Sequence, residues 1–386
     1  MHETSLFDHV HGQLGRLCAV TGADPVTAAQ VLRDLWGSEA PGARSERAPW
    51  SSGVSDDHTP VEFSLAFHRG ERPTLRILAE ALAASPAPRA RLAAGHAFIR
   101  AQAARHGLSL AAFDRVRDLF LPDDPRDGFG LWQSLVFPPR RRPEFKVYLD
   151  PEISGVDRSP ELVGAALGRL GLGASYSGLH DRAARPGELA RADRLAFFAL
   201  DLHDGPHARV KLYLAHHRAS ADDVVRAAGA VPGIDADELV AFCRTAGGTA
   251  GPFTTLPLVG SYTFIAGADV PVGYSVYVPI RGYVAADDEA YHRVTALLER
   301  YGFDPAHLDR AIAAVTSRRL RDGVGLIAHV SLRMGPPRPG VTVYLSAEAL
   351  RVQPPRSADR PAGRPVLERL GGCSTVRDAE LSRSDA

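Results

Sequence analysis

The chain has 386 residues, 45% of them hydrophobic and 23% charged, so it can bury the core of one large domain or of two ordinary ones. Lys and Arg together number 45, as do Asp and Glu, and this balance disfavours nucleic acid and acidic membranes as partners. The three cysteines are widely separated and form no CxxC pair, which favours a cytoplasmic protein and disfavours a zinc site or a disulfide framework. No run of residues approaches the roughly 18 apolar residues of a membrane span.

The first predicted elements are two helices within residues 4–36, a polar loop at 38–57 and a hairpin. Residues 59–67 alternate between apolar and polar side chains, and a turn then leads to a return strand within 74–82. The same order of helical stretches and a hairpin recurs four more times. We predict helices at about 87–106 and 109–120, 159–171, 220–230 and 235–246, and 286–301 and 305–316; the hairpins pair 129–137 with 145–149, 194–202 with 209–214, 258–265 with 273–279, and 325–334 with 341–346.

One strand pattern recurs at a nearly constant interval. In Arg209-Val210-Lys211-Leu212-Tyr213, alternation places the charged residues and the tyrosine on one face and the apolar residues on the other. Equivalent positions at 146, 211, 275 and 342 are 65, 64 and 67 residues apart. A single such strand could be an ordinary surface strand with one solvated face. Its recurrence favours a repeated supersecondary unit.

Five ααββ-type units predict about ten antiparallel strands, and hence an α+β fold. An open sheet of this kind would expose two edges, whereas a closed barrel removes them and leaves room for a ligand inside. The apolar strand faces can pack on the helices, so the polar faces would line the lumen. We expect one barrel domain over residues 1–350 and a Pro/Arg-rich tail over 351–386 that is partly disordered.

The predicted lumen carries fixed cations and tyrosines. Ammonium and guanidinium groups match the oxygens of phosphate or diphosphate. Tyrosine faces instead attract a cation, with about 0.5–2 kcal/mol each. An anion site ringed by aromatic faces suits a substrate that splits into diphosphate and a carbocation.

These strands carry a family resemblance. TPVEFS at 59–64, KVYL at 146–149, RVKLYL at 209–214, SVYVP at 275–279 and VTVYLS at 341–346 resemble the motifs of aromatic prenyltransferases of the dimethylallyltryptophan synthase type. SDDHTPVEFSLAF and DGVGLIA resemble the bacterial tryptophan 6-dimethylallyltransferases in particular. The resemblance implies the ABBA prenyltransferase barrel and transfer of a dimethylallyl group from dimethylallyl diphosphate to the indole of L-tryptophan, with C6 favoured. It also implies that no cofactor and no obligatory metal are needed.

The resemblance assigns roles to individual residues. Glu62 corresponds to the glutamate that accepts the indole N–H, and the other assignments are as follows. Diphosphate would be bound by Arg76, Lys146, Arg209 and Lys211, with added charge from Arg333; the carbocation would be shielded by Tyr148, Tyr213, Tyr277 and Tyr344; Ser275 and His329 are further lumen positions at which fungal relatives carry other residues. A lysine that some relatives place near Gln133 is missing, so the base that restores the aromatic ring stays unassigned.

Several alternatives remain open at this point. Asp123-Asp124-Pro125-Arg126-Asp127 spells DDxxD, a magnesium–diphosphate motif of helical prenyl synthases, but Pro122 and Pro125 disfavour a helix and favour a solvated loop. Phe129 and Trp132 are expected in the core. The acceptor could be a tryptophan-containing dipeptide, another indole or tyrosine. The barrel could also bind an isoprenoid or nucleotide without catalysis, as a monomer or a homodimer.

Overall fold

Ten antiparallel strands close into a barrel in the computed structural model of the protein, which describes residues 5–37, 52–123, 129–176, 178–335 and 339–356. Each strand pairs with its neighbours in the chain, and the first strand closes the barrel against the last. In this closing pair Glu62 lies opposite Ser346, and Ser64 lies opposite Tyr344. The prediction of a closed barrel of ten strands surrounded by helices is therefore confirmed.

The strands lie close to the positions that alternation predicts. They are β1 Val61–Phe67, β2 Thr74–Glu80, β3 Leu131–Phe137, β4 Glu144–Leu149, β5 Asp193–Asp201, β6 Val210–His216, β7 Leu258–Phe264, β8 Gly273–Val278, β9 Ile327–Met334 and β10 Gly340–Ser346. Two irregularities interrupt the register, one between Leu195 and Phe197 and one between Tyr344 and Leu345. The first of these changes which residues of β5 face the lumen, with consequences for the site.

Helices precede each of the five hairpins. They are α1 Leu6–Thr21, α2 Pro25–Trp36, α3 Pro88–His106, α4 Ala111–Phe120, α5 Ser159–Arg169, α6 Gly173–Tyr176, α7 Leu179–Ala183, α8 Ala221–Ala228, α9 Ala236–Gly247, α10 Asp287–Arg300 and α11 Ala306–Val315. The interpretation of these groups as five copies of one repeat remains a prediction from the sequence. None of the helices in the described ranges is long and apolar enough to cross a membrane.

The main core lies between the barrel wall and the helices. The apolar face of β6, with Val210, Leu212 and Leu214, is buried there. It belongs to one cluster with the apolar side of α1, which includes Leu6 and Val10. Burial of a leucine side chain contributes about 1.5–3 kcal/mol to folding stability, so this layer fixes which strand face points outward.

Local signals set the helix ends: Asp24 accepts the N–H groups of Val26 and Thr27 at the start of α2. Because the apolar faces point outward to the helices, the polar faces are left to line the lumen.

Candidate active site

The lumen consists of two chambers that meet at a layer of tyrosines. The chambers share the side chains of Leu78, Tyr148, Tyr213, Tyr277 and Tyr344. On one side of this tyrosine layer lies a cationic chamber, lined by Lys146, Lys211 and the other predicted cations. On the other side lies an aromatic chamber that contains Glu62 and opens at the barrel mouth.

The layers follow from the strand period. Residues that share a face of a strand are about 7 Å apart along it. On β4, Lys146 lines the cationic chamber, Tyr148 lies in the tyrosine layer, and Asp150, directly after the strand, lines the aromatic chamber. On β6, likewise, Lys211 lines the cationic chamber and Tyr213 lies in the tyrosine layer. Neighbouring strands therefore present the same order of chemistry along the tunnel.

The cationic chamber brings together all five cations that the sequence singled out. Its lining includes Arg76, Lys146, Arg209, Lys211 and Arg333, together with Ser275. Burial, and then the neighbouring Arg209, lowers the pKa of Lys146 to about 8. Burial likewise lowers the pKa of Lys211. An anion that enters this chamber would stabilise both ammonium groups, since opposite charge favours the protonated form.

Asp201 partly neutralises this chamber, and sequence reasoning missed it. It ends β5, where its carboxylate lies 2.7 Å from Lys146 Nζ and 2.8 Å from Arg209 Nε. Burial opposes ionisation, but Lys146 and then Arg209 outweigh it and lower the pKa of Asp201 to about 2. One carboxylate thus holds two of the five cations in fixed positions.

The tyrosine layer is a continuous band of aromatic rings. The ring centres of Tyr148 and Tyr213 are 5.7 Å apart, those of Tyr213 and Tyr277 are 5.7 Å apart, and Tyr344 follows at 6.0 Å from Tyr277. The hydroxyl oxygens of Tyr148 and Tyr213 lie 3.0 Å apart. Burial raises the pKa of Tyr148 to about 12, so its phenol is neutral at ordinary pH. Lys211 Nζ lies 5.2 Å from the ring centre of Tyr213, within cation–π range.

Glu62 lies on the lumen face of β1, in the aromatic chamber. Glu62 is 6% exposed, and burial raises the pKa of its carboxyl group to about 8 against the opposing effect of Arg281. The nearest basic side chain is His329, whose Nδ1 lies 3.7 Å from Glu62 Oε1. Burial, and then Arg281, lowers the pKa of His329 well below its usual range, so the ring is neutral.

A network that sequence reasoning missed supports this pair. Arg281 Nη1 lies 2.8 Å from His329 Nε2, and Arg281 also forms an ion pair with Asp56 from the segment before β1. The same Arg281 nitrogen lies 3.3 Å from His329 Nδ1, and because a guanidinium can only donate, the neutral His329 ring is the acceptor in this contact. The loop predicted at 38–57 thus contributes its last residues to the mouth of the barrel.

Phe129 and Trp132 are buried, as expected of core residues, in a small apolar cluster with Val54 that is separate from the main core, and they also line the aromatic chamber. Trp132 pairs with Tyr148 across β3 and β4 and therefore shares its lumen face. The Trp132 ring centre is 4.2 Å from that of Phe129 and 5.7 Å from that of Phe197. Gln133, the neighbour of Trp132, is buried on the opposite, helix-facing side, close to Gly95 of α3. It is therefore no candidate for a base in the lumen.

The DDxxD run at 123–127 lies outside the described residues from Asp124 onward. In the part of the chain that the structure describes, no group of three or more His, Cys, Asp or Glu side chains is arranged to hold a metal ion.

Comparison with known proteins places this lumen in a family. A family model described as tryptophan dimethylallyltransferase matches residues 30–311. The chain belongs to this family. Its resemblance to aromatic prenyltransferases and the predicted ABBA barrel are thereby confirmed, and the protein is an enzyme, not a barrel that only binds an isoprenoid.

Solved structures of the family superpose along nearly the whole chain. The 6-dimethylallyltryptophan synthase from Micromonospora olivasterospora, in complex with DMASPP and Trp, is 64% identical, with 91% of this chain and 99% of that chain covered and a TM-score of 0.88. PriB in its ternary complex with L-tryptophan and dimethylallyl thiolodiphosphate is 38% identical, with 92% and 100% covered and a TM-score of 0.84. The 5-dimethylallyltryptophan synthase from Streptomyces coelicolor is 36% identical, with 91% and 99% covered and a TM-score of 0.83.

Proposed function

We propose that the protein transfers the dimethylallyl group of dimethylallyl diphosphate to C6 of the indole ring of L-tryptophan. The observation that carries this proposal is the order of the layers: cations, then tyrosine faces, then a buried carboxyl group, along one tunnel. The C6 position is supported by the 64% identity to a 6-dimethylallyltryptophan synthase, against 36% for a 5-dimethylallyltryptophan synthase.

In the cationic chamber the diphosphate would be the leaving group. The bond between C1 of the dimethylallyl group and the diphosphate oxygen breaks, and the oxygen keeps the electron pair. The developing charge on the diphosphate is stabilised by the chamber's cations, namely Arg76, Lys146, Arg209, Lys211 and Arg333. These groups stand in place before the reaction, so little reorganisation opposes the bond cleavage.

The tyrosine layer would surround the allyl cation. Tyr148, Tyr213, Tyr277 and Tyr344 present their rings at the junction of the two chambers. Each face contributes about 0.5–2 kcal/mol toward a cation at this position. The closely spaced rings would also keep water from reaching the electrophile.

Glu62 would accept the indole N–H in the aromatic chamber. An ionised Glu62 makes the ring more electron-rich as C6 attacks the cation, and it supports the positive charge that develops on the ring. Loss of the proton from C6 then restores the aromatic ring. The pKa of about 8 implies that this carboxyl group is protonated below that pH in the empty site.

We further propose that the reaction needs no obligatory metal and no cofactor, because the chamber's own cations can neutralise the diphosphate. Activity should then survive an excess of EDTA. Loss of activity with EDTA and its return with magnesium would contradict this and would direct attention to the DDxxD run.

Two proposals concern the chain as a whole. A single barrel domain over residues 1–350, followed by a tail over 351–386, is supported by the closure of β1 on β10; the tail from residue 357 lies outside the described residues. A cytoplasmic location is supported by the buried, unpaired thiols of Cys18 and Cys243.

Incubation with dimethylallyl diphosphate and L-tryptophan tests the main proposal. Mass spectrometry should show addition of one dimethylallyl group, and NMR should place it on C6. A tryptophan-containing dipeptide, a simple indole and tyrosine serve as competing acceptors. Faster prenylation of one of these, or a product substituted at C4, C5 or C7, would overturn the proposed acceptor or position.

A further inference from the structure

Six carboxyl groups line the aromatic chamber and its mouth. They are Asp56, Asp57, Glu62, Asp150, Glu152 and Glu348. Three of them have an arginine partner: Asp56 pairs with Arg281, Glu152 with Arg194, and Glu348 with Arg318. A buried charge that is already paired has little left to offer a ligand.

Asp57 is also satisfied within the protein. One of its oxygens accepts the N–H of Thr59 at 3.0 Å, and the other accepts the hydroxyl of Thr59 at 2.6 Å and the N–H of Leu350 at 3.1 Å. These contacts tie the segment before β1 to the chain after β10. Asp57 thus has no arginine or lysine partner, but donors occupy both of its oxygens. Among the described residues, Glu62 and Asp150 are the two carboxyl groups of this lining that have neither an arginine or lysine partner nor hydrogen bonds to both oxygens.

Asp150 is buried although it has no such partner. It is 7% exposed, and one of its carboxyl oxygens accepts the N–H of Glu152 at 2.8 Å. No ion pair or side-chain donor to it occurs in the described ranges, and burial raises its pKa to about 7. The hydrogen bond from Glu152 leaves the other carboxyl oxygen of this buried residue as an acceptor toward the cavity, where a donor group of a ligand can satisfy it.

The position of Asp150 along the tunnel indicates which group of a ligand would pair with its carboxyl group. On the lumen face of β4, Lys146 belongs to the cationic chamber, Tyr148 to the tyrosine layer and Asp150 to the mouth side. Same-face residues are about 7 Å apart, so Asp150 lies one such step beyond the tyrosine layer and two steps beyond Lys146. With the electrophile at the tyrosines and the indole N–H at Glu62, the space left for the amino-acid part of tryptophan is the mouth side of the chamber, which Asp150 lines.

We propose that Asp150 binds the α-ammonium group of the tryptophan acceptor and so makes the enzyme selective for the free amino acid over indoles that lack this amine. The inference rests on the proposed function. Tryptophan offers two N–H-bearing groups, the indole nitrogen and the ammonium. Among its described residues the chamber offers two carboxyl groups, Glu62 and Asp150, that have neither an arginine or lysine partner nor hydrogen bonds to both oxygens. An analogue without the ammonium would leave Asp150 buried and unpaired, which penalises its binding.

The test compares L-tryptophan with indole-3-propionate, which has the same ring and carboxylate but no amine. The wild-type enzyme, Asp150→Asn and the control Asp222→Asn are assayed for kcat and KM with both acceptors; Asp222 is exposed on α8. In Asp150→Asn the KM for tryptophan should rise about 10- to 100-fold, the usual effect of losing a charge-assisted hydrogen bond, with kcat changed only a few-fold. Its kcat/KM for indole-3-propionate should be unchanged or higher, and the control should behave as wild type.

Equal losses with both acceptors would overturn the proposal, because they would indicate that Asp150 only shapes its turn through the Glu152 N–H. An unchanged preference for tryptophan would overturn it as well. If the wild-type enzyme does not prenylate tryptophan, the proposed function itself fails. If the wild-type enzyme prenylates tryptophan but Asp150→Asn leaves the preference for tryptophan unchanged, the inference alone fails.

A second measurement needs no variant. For the wild-type enzyme the ratio of kcat/KM for tryptophan to that for indole-3-propionate should rise as the pH passes through about 7, where Asp150 ionises. Ionisation of Glu62 affects both acceptors and cancels in the ratio. The other charged side chains that act on Asp150 are Glu152 and Arg194, which pair with each other. A ratio that stays flat from pH 5.5 to 8.5 would overturn the proposal.

Discussion

Replacing Glu62 with glutamine should remove the loss of folding stability that the wild-type protein suffers as the pH rises. In the unfolded chain this carboxyl group ionises near its usual value of 4.5, whereas burial raises its pKa in the folded protein to about 8. Between these values the folded state keeps a proton that the unfolded state has lost, so stability is fully present below about 4.5 and falls as the pH rises toward 8. At about 1.4 kcal/mol per pKa unit, the whole effect is about 5 kcal/mol.

The assay is urea unfolding of the wild-type protein and Glu62→Gln at pH 5, 7 and 9. Glutamine cannot ionise, so the free energy of unfolding of the variant relative to wild type should increase by about 4 kcal/mol from pH 5 to pH 9. Other titrating groups are common to both proteins and largely cancel in the difference. A difference that does not change with pH would refute the argument that Glu62 is buried without a charge partner.

The same substitution should separate catalysis from binding. Glutamine keeps the shape but replaces an anionic acceptor with a neutral amide, so turnover should fall about 10²- to 10⁴-fold while tryptophan affinity changes far less. For the wild-type enzyme, kcat/KM for tryptophan should rise with pH up to about 8 as Glu62 ionises. A folded Glu62→Gln variant that binds tryptophan and turns over at the wild-type rate would show that the carboxylate has no such role.

Three further predictions concern the other two layers. Lys211→Ala and Arg209→Ala should each weaken binding of inorganic diphosphate by about 1.5–3 kcal/mol in titration calorimetry, because each removes a charge-assisted contact; wild-type affinity in a folded variant would place the diphosphate elsewhere. Tyr213→Phe should retain more activity than Tyr213→Ala, since the ring face stabilises the cation, and equal losses would assign the role to the hydroxyl. Asp201→Asn should bind diphosphate more tightly at a pH low enough to keep Lys146 charged, because the variant lacks the carboxylate that pairs with Lys146 and Arg209. Its affinity should then decline at a lower pH than in wild type, because Asp201 raises the pKa of Lys146 that burial lowers to about 8; an unchanged pH midpoint would contradict this.

The residues of the tyrosine layer and most of the cationic chamber could be predicted because the strand period is local. Alternation alone puts Lys211 and Tyr213 on one face and Leu212 on the other, and the recurrence of this pattern predicts several such strands. Closure into a barrel follows from the cost of exposed strand edges. The family resemblance supplied what alternation cannot, namely the role of Glu62 and the kind of reaction.

The residues that sequence reasoning missed depend on interruptions of that period. The irregularity between Leu195 and Phe197 shifts the alternation of β5, so that Arg194 lines the lumen before it and Phe197 and Asp201 line the lumen after it. A strict period of two cannot place all three on one face. The lumen position of Trp132 could not be predicted for a related reason, since an apolar side chain suits either face and only its pairing with Tyr148 decides which face it takes.

Charge pairing and burial were decided by the tertiary structure alone. Asp56 and Arg281 are 225 residues apart in the chain, and only closure of the barrel brings them together beside His329. The pKa of Glu62 and of Asp150 depends on how much water and how many charges surround each group, which the local sequence does not contain. Side-chain direction is a property of neighbouring residues in one strand, whereas desolvation and ion pairing are properties of the closed barrel.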